Sequence, residues 1–386
     1  MEQRRARRGL TGRVKRLILA ALAAALSPCA AAAQPTVQFI PSIAFMNSYD
    51  DNVFLTSSAG EPDVITRVTP GIALQVDRPL ETVKSHYRID AERYANHPSL
   101  TTANGRHDAA FDIRSKRIRG AILAAEADFA TTNTPNELNT LSGLTVGRAR
   151  ASRLNVNPSV LRELDRNTSI KLAYAYARDR IQAGPSADTH GAIFGLEHRR
   201  SPRQKITITY GAERFVFDQA RPTISQTSTV GVEASGRSSS FTIAAGARLT
   251  GSQLSPEIAA AARRALRRGE LSLAYTRTRT TVIGVFGAVD TQTLAGAAAL
   301  DFRRALRIQA APGISTITLA DRPLYVFRLA MEASAPIGGA FALVAASSLS
   351  SQHFIQGGVD DPRSIALSHR VVSIGLRVSP STTIRE

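Results

Sequence analysis

The chain is short of cysteine, of tryptophan and of long apolar runs. Its one cysteine, Cys29, lies near the N-terminus, and none of the 386 residues is tryptophan. A single cysteine excludes a disulfide framework, and a chain cut after residue 33 has no thiol nucleophile or ligand. Beyond the N-terminal segment, no apolar run approaches the 18 residues of a membrane-spanning helix. The sequence therefore excludes a helical membrane protein, but not one that spans a membrane as strands.

The first 33 residues have the pattern of a secretory signal peptide. Seven Arg or Lys residues precede the short apolar stretch LILAALAAAL (17–26), and small residues then lead to a cleavage site after Ala33. A charged start, a short apolar run and a small-residue exit are typical of such signals. We predict a cleaved signal peptide over 1–33 and a single domain over 34–386, with an uncleaved anchor as the alternative.

The exported part of the chain is strongly basic. The full chain carries a formal charge of +17, and removal of seven Arg or Lys residues and Glu2 with the signal leaves +11. Basic exported proteins favour anionic partners. Anionic glycans, lipopolysaccharide phosphates and anionic solutes are the candidates here, and nucleic acid is not.

From Thr36 onward the dominant sequence period is two. In TVKSHYRIDAER (82–93), Val83, Tyr87 and Ile89 fall on one face, whereas Lys84 and Arg88 fall on the other. Successive side chains of a strand point to opposite faces, so this strand has one apolar and one charged face. The same alternation recurs at 107–116, 205–213, 240–249, 324–335 and 371–379.

The connections between these segments alternate between short and long. Short connections such as DRPLE (77–81) and PIGG (336–339) alternate with longer ones such as TTNTPNELNT (131–140) and SSQHFIQGGVDDPRS (350–364). Alternating strands with short periplasmic turns and longer outside loops are typical of outer-membrane barrels. We predict an all-β fold, a single transmembrane antiparallel β-barrel of about 18 strands, with 16 possible, in the outer membrane of a Gram-negative bacterium.

Two alternatives concern this pattern. The segment EIAAAARRALRRG (257–269) breaks the alternation and reads as a short helix or as a strand with a bulge. A soluble β-sandwich also has an apolar face, but large charges of both signs recur here on the polar face of many strands, which favours a water-filled lumen.

The stretch PSIAFMNSYDDNVFL (41–55) resembles the N-terminal strand and loop of the outer-membrane β-barrel porin family associated with exopolysaccharide export. The family motif is matched by six consecutive residues: Tyr49, Asp50, Asp51, Asn52, Val53 and Phe54. The resemblance implies an outer-membrane barrel that exports an exopolysaccharide, with a periplasmic polysaccharide-export protein as a partner. It implies no catalytic residues. Unlike many outer-membrane barrels, the chain does not end on an aromatic residue; its last residue is Glu386.

Asp50 and Asp51 are the first candidates for chemistry. Adjacent strand residues point in opposite directions, so the two carboxylates do not form a general acid–base pair. We predict a turn at the barrel rim, because Asp and Asn bond to nearby backbone. A weak Ca²⁺ contact that includes Asp360 and Asp361 is the alternative.

No other catalytic or metal-binding pattern is present in the sequence. The seven histidines lack close metal-ligand spacing, there is no G-x-S-x-G, and no Ser/His pair stands out at a strand end. We expect His86 and His107 to be ordinary lumen residues on neighbouring strands. The sequence thus predicts no enzyme, no cofactor and no metal.

Alternation places a set of charged residues inside the barrel. The predicted lumen residues are Arg67, Lys84, Arg88, Asp90, Glu92, Asp112, Arg114, Lys116, Lys171, Glu213, Arg248, Arg328, Glu332 and Arg377. Charged rings set pore selectivity, and barrels of 16–18 strands leave an aqueous channel. The expected partners are outer-membrane lipid, lipopolysaccharide and the barrel-assembly machinery.

The expected function is a channel that exports an exopolysaccharide. A general diffusion porin for small anions, or a structural barrel without transport, is the alternative. General porins usually fold a long acidic loop into the lumen, and no predicted loop here is obviously long enough, which favours export.

Overall fold

The computed structural model describes residues 36–57, 60–218, 220–302, 306–319, 322–354, 366–380 and 382–385. The predicted signal peptide (1–33) and the pair Asp360 and Asp361 lie outside these ranges. In the described part of the chain, no helix is long and apolar enough to cross a membrane.

The described residues form β-strands joined by turns and loops. The strands are β1 (Thr36–Asp50), β2 (Asp63–Arg78), β3 (Glu81–Tyr94), β4 (Thr102–Ser115), β5 (Ala121–Thr132), β6 (Ala151–Glu163), β7 (Thr168–Ile181), β8 (Ala187–Ser201), β9 (Gln204–Phe217), β10 (Ala220–Ser235), β11 (Ser239–Thr250), β12 (Gln253–Leu266), β13 (Gly269–Thr281), β14 (Ala288–Phe302), β15 (Leu306–Leu319), β16 (Arg322–Gly338), β17 (Phe341–Phe354), β18 (Ala366–Val378) and β19 (Thr382–Arg385). Two single 3₁₀ turns lie at Pro98–Leu100 and Pro135–Glu137.

The sheet is antiparallel and closes on itself. Each strand from β1 to β18 pairs with its neighbours in sequence, and β18 pairs with β1 from Ile43↔Val378 to Asp50↔Val371. This closing contact between β1 and β18 is hereafter the seam. The short β19 extends it by pairing with Thr36–Phe39. The predicted barrel of 18 strands is therefore confirmed. The segment 257–269 is not helical, since β12 covers nearly all of it.

The two ends of the barrel differ in their connections. At one end, the strand bounds leave two to five residues between β2 and β3, β4 and β5, and so on around the barrel. At the other end, connections of 12, 18 and 11 residues follow β1, β5 and β17. Short turns mark the periplasmic end and longer loops the extracellular end. The sequence pattern also predicts longer connections at 218–225, 250–257 and 319–323, but β10 already starts at Ala220, β12 at Gln253 and β16 at Arg322.

The outside of the barrel is apolar and the inside is mostly polar. On β10, Val230 and Val232 face outward and are 56% and 43% exposed, while Thr229 and Glu233 occupy the opposite face. A closed sheet with all backbone groups paired and an apolar exterior is the only way for strands to cross a bilayer. The chain is therefore a transmembrane β-barrel of the outer-membrane type.

We expect Val230→Lys to destabilise the barrel by about 2–4 kcal/mol, because it puts a charge against lipid near the middle of β10. The neighbouring variant Thr229→Lys is the matched control, since its side chain enters the lumen. Equilibrium unfolding in urea with phospholipid vesicles measures both. Equal destabilisation by the two variants would contradict the assignment of faces.

Candidate functional site: a loop folded into the charged lumen

The long connection between β5 and β6, residues 133–150, folds into the barrel and reaches the far wall. Its Leu141 carbonyl accepts hydrogen bonds from Thr293 Oγ1 on β14 (2.8 Å) and Ser315 Oγ on β15 (2.9 Å). The Thr145 backbone N–H and C=O both bond to the side-chain amide of Gln352 on β17 (3.1 and 3.0 Å). In an 18-stranded barrel, β14–β17 lie almost opposite β5 and β6, so this connection, hereafter the inward loop, crosses the lumen.

A buried asparagine connects the inward loop to a second loop in the lumen, the segment 282–287. Asn139 is 2% exposed. Its side-chain amide donates to the carbonyls of Leu144 (3.0 Å) and Ile283 (3.2 Å), and its Oδ1 accepts the Ile283 backbone N–H at 2.9 Å. The amide therefore satisfies three buried backbone groups that have left regular strand pairing.

Apolar packing occupies part of the extracellular half of the lumen. Leu144 of the inward loop packs with Val282, Val289, Ile317 and Leu324. A second cluster joins Leu138, Ala151 and Ile283. The expectation of a water-filled lumen does not hold where these clusters lie, because the inward-facing side chains there pack against the loops.

Glycine is required where the inward loop passes Arg328. Gly143 has φ +66°, and a Cβ atom there would collide with the Arg328 side chain. Arg328 Nη2 donates to the Thr140 carbonyl at 2.6 Å. The left-handed backbone that glycine tolerates thus lets the loop lie directly on the arginine.

The inward loop returns to the wall of β2 and β3 through Arg148. Its guanidinium donates to Tyr94 Oη at 2.7 Å and lies 4.9 Å from the centre of the Tyr94 ring. Tyr94 Oη donates in turn to Glu92 (2.9 Å), which pairs with Arg67 at 2.7 Å. A continuous polar network thus runs from the loop into the wall.

A polar passage remains beside the inward loop. A cavity of about 540 Å³ lies between the loop and the wall and is lined by Asp50, Arg67, Glu137, Arg148, Arg328 and His369. A second cavity of about 580 Å³ shares Arg67 and is lined further by Arg88, Arg106, Asp108, Glu332 and Arg377. The two cavities share one lining residue, Arg67, and both lie against β1–β3 and β16–β18.

Several predicted lumen residues form ion pairs between strands, most of them between neighbouring strands. Arg67 contacts Glu92 (2.7 Å) and Asp90 (3.6 Å). Arg88 contacts Asp108 at 2.6 Å, and Arg377 approaches Glu332 at 3.7 Å. These pairs neutralise much of the charge on the wall of β2–β4 and β16–β18.

Arg248 makes the most buried of these contacts. It is 2% exposed and contacts Glu257 and Asp290, both at 2.7 Å. Its Nε has no hydrogen-bond partner. Such a buried pair fixes the packing of β11, β12 and β14 rather than offering a free charge to a solute.

The remaining predicted lumen residues are placed by register. Lys84 lies opposite Asp112, Arg114 opposite Thr82, Lys171 opposite Gly195, and Glu213 opposite Ser225. All are on the face opposite the lipid-exposed side chains. Lys116 is different: β4 ends at Ser115, and Lys116 lies exposed in the following turn, where its backbone N–H donates to the Leu80 carbonyl (2.8 Å).

His86 and His107 lie on opposite faces of the wall. His86 faces the lumen and contacts Asp108 at 2.8 Å. His107 faces outward, where its Nδ1 bonds to the Tyr87 hydroxyl at 2.8 Å. The expectation that both are lumen residues is wrong for His107, because its odd position in β4 shares the parity of the outward Phe111.

The motif from Tyr49 to Phe54 joins the first and last strands of the barrel. Asp50 Oδ1 accepts the Asn52 backbone N–H and bonds to His369 Nε2 on β18, both at 2.9 Å. Asp51 Oδ1 accepts the Arg370 backbone N–H at 2.7 Å. Asn52 bonds through its amide to both backbone groups of Thr56. These residues form a turn at the barrel rim, and its hydrogen bonds connect β1 to β18 across the seam.

Ligand-type atoms of Asp50, Asp51 and His369 lie within 4.8 Å of one another in the described ranges. Each of these side chains takes part in the hydrogen bonds of the seam just described. We therefore assign this cluster to seam closure.

One Ser/His contact was missed in the sequence. Ser351 Oγ lies 2.8 Å from His353 Nε2 near the end of β17, and both side chains face outward. No carboxylate of the described residues orients this histidine, as the third member of a hydrolase triad would. The signal, S-x-H within one strand, is too short to distinguish from chance alternation.

Comparison with known proteins gives likenesses in structure only. No family model matches the chain, and no curated protein matches it in sequence. Among solved structures, Acinetobacter baumannii OccAB4 aligns with a TM-score of 0.47 at 9% identity and covers 91% of this chain and 99% of its own. Pseudomonas aeruginosa OpdK with vanillate gives 0.45 at 8% identity, covering 90% and 99%. An anion-selective porin from Comamonas acidovorans gives 0.39 at 10%, covering 90% and 100%.

At these identities and TM-scores, the likenesses carry no argument about what this chain transports. The barrel that the motif resemblance implies is present in the structure. The exopolysaccharide export that the same resemblance implies has no support from these neighbours or from the geometry of the lumen.

Replacing Asn139 by Ala should loosen the inward loop while the barrel still folds. The change removes three hydrogen bonds and leaves the Ile283 N–H without its acceptor, a cost of about 1–3 kcal/mol. We expect higher and noisier single-channel conductance in planar bilayers. Asn155→Ala is the matched control, since this lumen amide bonds to Asp128 and makes no contact with the loop. Identical conductance of all three proteins would show that the loop does not limit the current.

The loop between β3 and β4 carries a pH-sensitive contact. His97 Nδ1 lies 2.9 Å from Asp63 Oδ2 and its Nε2 lies 3.1 Å from Glu61 Oε2. The hydrogen bond to Asp63 raises the pKa of His97 above its usual value of 6.5. Desolvation opposes this, and the hydrogen bond to Glu61 adds to the increase. Because the folded-state pKa is raised, the contact contributes its full stability below pH 6.5 and loses it as the pH rises through the higher folded-state pKa.

We expect ¹⁵N-histidine NMR in micelles to give His97 a pKa above that of a free histidine. Asp63→Asn should lower it, because the carboxylate that holds the imidazolium is then absent. An unshifted His97 in the unmodified protein, or no effect of Asp63→Asn, would contradict this contact.

Proposed function

We propose that the protein is an outer-membrane diffusion channel for small anionic solutes, with the inward loop as its constriction. The observation that carries the proposal is the pair Arg148 and Arg328 at the loop. Both line the cavity beside the loop, and neither contacts a carboxylate among the described residues. Two uncompensated guanidinium groups at a narrow point attract anions and repel cations.

The inward loop also supports the diffusion channel over the export channel. A loop of 18 residues enters the lumen, so the expectation that no loop is long enough for a porin constriction is wrong. It differs from the acidic loop expected of general porins: residues 133–150 contain one acid, Glu137, and two bases, Arg148 and Arg150. A loop held to both walls narrows the route, which suits small solutes better than a polysaccharide chain.

Reversal potentials under a salt gradient test the selectivity. In planar bilayers with a KCl gradient, we expect the wild-type protein to prefer Cl⁻ over K⁺. At a distance of about 10 Å in water, each charge changes the local ion energy by about 0.4 kcal/mol, or about twofold. Because each charge favours Cl⁻ and disfavours K⁺ by this factor, the double variant Arg148→Gln/Arg328→Gln should reduce the Cl⁻/K⁺ permeability ratio by up to about sixteenfold at low ionic strength.

The matched control is Arg93→Gln on β3. It removes a charge at a height similar to that of Arg148, but from the outward face of the barrel. It should leave the ratio unchanged. A cation-selective wild type, or an unchanged ratio in the double variant, would contradict the proposal. A folded, heat-modifiable barrel without any conductance would favour a structural barrel closed by its loops.

A further inference from the structure

The outer face of β7–β9 carries a cluster of three arginines beside exposed apolar side chains. Lower on these strands, Leu172, Phe194 and Ile208 are 56%, 44% and 51% exposed. Towards the extracellular end the same face bears Arg178 and Arg180 on β7 and Arg214 on β9. Register confirms the outward direction of Arg214, because its pairing partner on β10 is Ile224, which is 56% exposed.

Tyrosine and histidine rings fix the height of these arginines. Tyr174 is 43% exposed, and its hydroxyl bonds to His190 Nδ1 at 2.7 Å. The Tyr176 ring lies 5.1 Å from the His190 ring and 5.8 Å from the guanidinium of Arg178. Outward aromatic residues near the rim of a barrel mark the boundary between acyl chains and headgroups. Arg178 and Arg180 lie beyond these tyrosines on β7. Arg214 is level with Tyr176, since both pair in register with His190, so the three arginines lie at headgroup height.

The charge of this face is only partly compensated. Asp188 contacts Arg178 at 2.8 Å and Arg180 at 3.3 Å. Arg214, which pairs in register with His190, has no ion pair within the described residues. The outward neighbours on the flanking strands, Leu154 and Ile224, are apolar. Three guanidinium groups thus face one carboxylate at the membrane surface.

We propose that this face, formed by Tyr174, Tyr176, Arg178, Arg180, His190 and Arg214, binds a phosphate group on the glycolipid of the outer leaflet, the lipid A part of lipopolysaccharide. Guanidinium groups bind phosphate oxygens in bidentate fashion, and the outer face of the barrel is in contact with lipid rather than with the solute path. The acyl chains of the same lipid lie along Leu172, Phe194 and Ile208. The site is independent of the channel function and persists if the lumen is closed.

Binding of defined lipids tests the proposal. The full exported chain, refolded in detergent micelles, is titrated with diphosphorylated lipid A and with the same lipid lacking both phosphates, and bound lipid is measured by native mass spectrometry. We expect the phosphorylated lipid to bind at least about tenfold more tightly. The double variant Arg178→Gln/Arg214→Gln should lose at least about fivefold in affinity for it, and Arg178→Lys/Arg214→Lys should lose less, since the charge remains.

The matched control removes two outward arginines at the periplasmic end, Arg162→Gln/Arg264→Gln, and should bind lipid A within about twofold of wild type. Heat modifiability on gels verifies that each variant is folded. Equal binding of the two lipids by the wild type, or equal loss of affinity in both glutamine variants, would overturn the proposal. Conductance is measured on the same samples, so failure of lipid binding and failure of the channel are distinguished.

Discussion

Pairing of every backbone N–H and C=O group along a closed sheet is the constraint on which this molecule depends. A bilayer offers no water to an unpaired strand edge, so β1 and β18 must meet. The seam is joined by an eight-residue register, by the hydroxyls of Ser48 and Ser373 at 2.8 Å and by the Asp50–His369 contact. The sequence motif from Tyr49 to Phe54 is thus explained by barrel closure, without any chemistry of its own.

Closure also determines what the interior can contain. A barrel of 18 strands is wide enough for water, and the charged residues of the wall pair across neighbouring strands. The extracellular half is different, since two loops enter it and bring their own apolar side chains. Solute passage is then decided by the space and charge left beside the inward loop, where Arg148 and Arg328 lie, rather than by the average charge of the wall.

Strand alternation could be predicted from the sequence because side-chain direction in a strand has a period of two. This period was enough to predict the barrel, its apolar and polar faces, and the inward positions of residues such as Arg67, Arg88 and Arg328. It failed at Lys116, because β4 ends at Ser115. The expectation for His107 departed from the alternation itself, since His107 shares the odd parity of the outward Phe111. The inward loop could not be predicted, because its position depends on contacts between residues far apart in sequence, such as Thr145 with Gln352 and Asn139 with Ile283. Segment 141–150 itself alternates and reads as the beginning of β6.

The inward loop has a mechanical consequence for the barrel as a whole. It begins and ends on adjacent strands, β5 and β6, yet its middle is hydrogen-bonded to β14, β15 and β17 on the far side. Any deformation that flattens the circular cross-section along this diameter must compress the loop, and any deformation that stretches it must break these bonds. The barrel is therefore stiffer in one direction than in the perpendicular one, so lateral pressure from the membrane acts unequally on the two diameters of the pore.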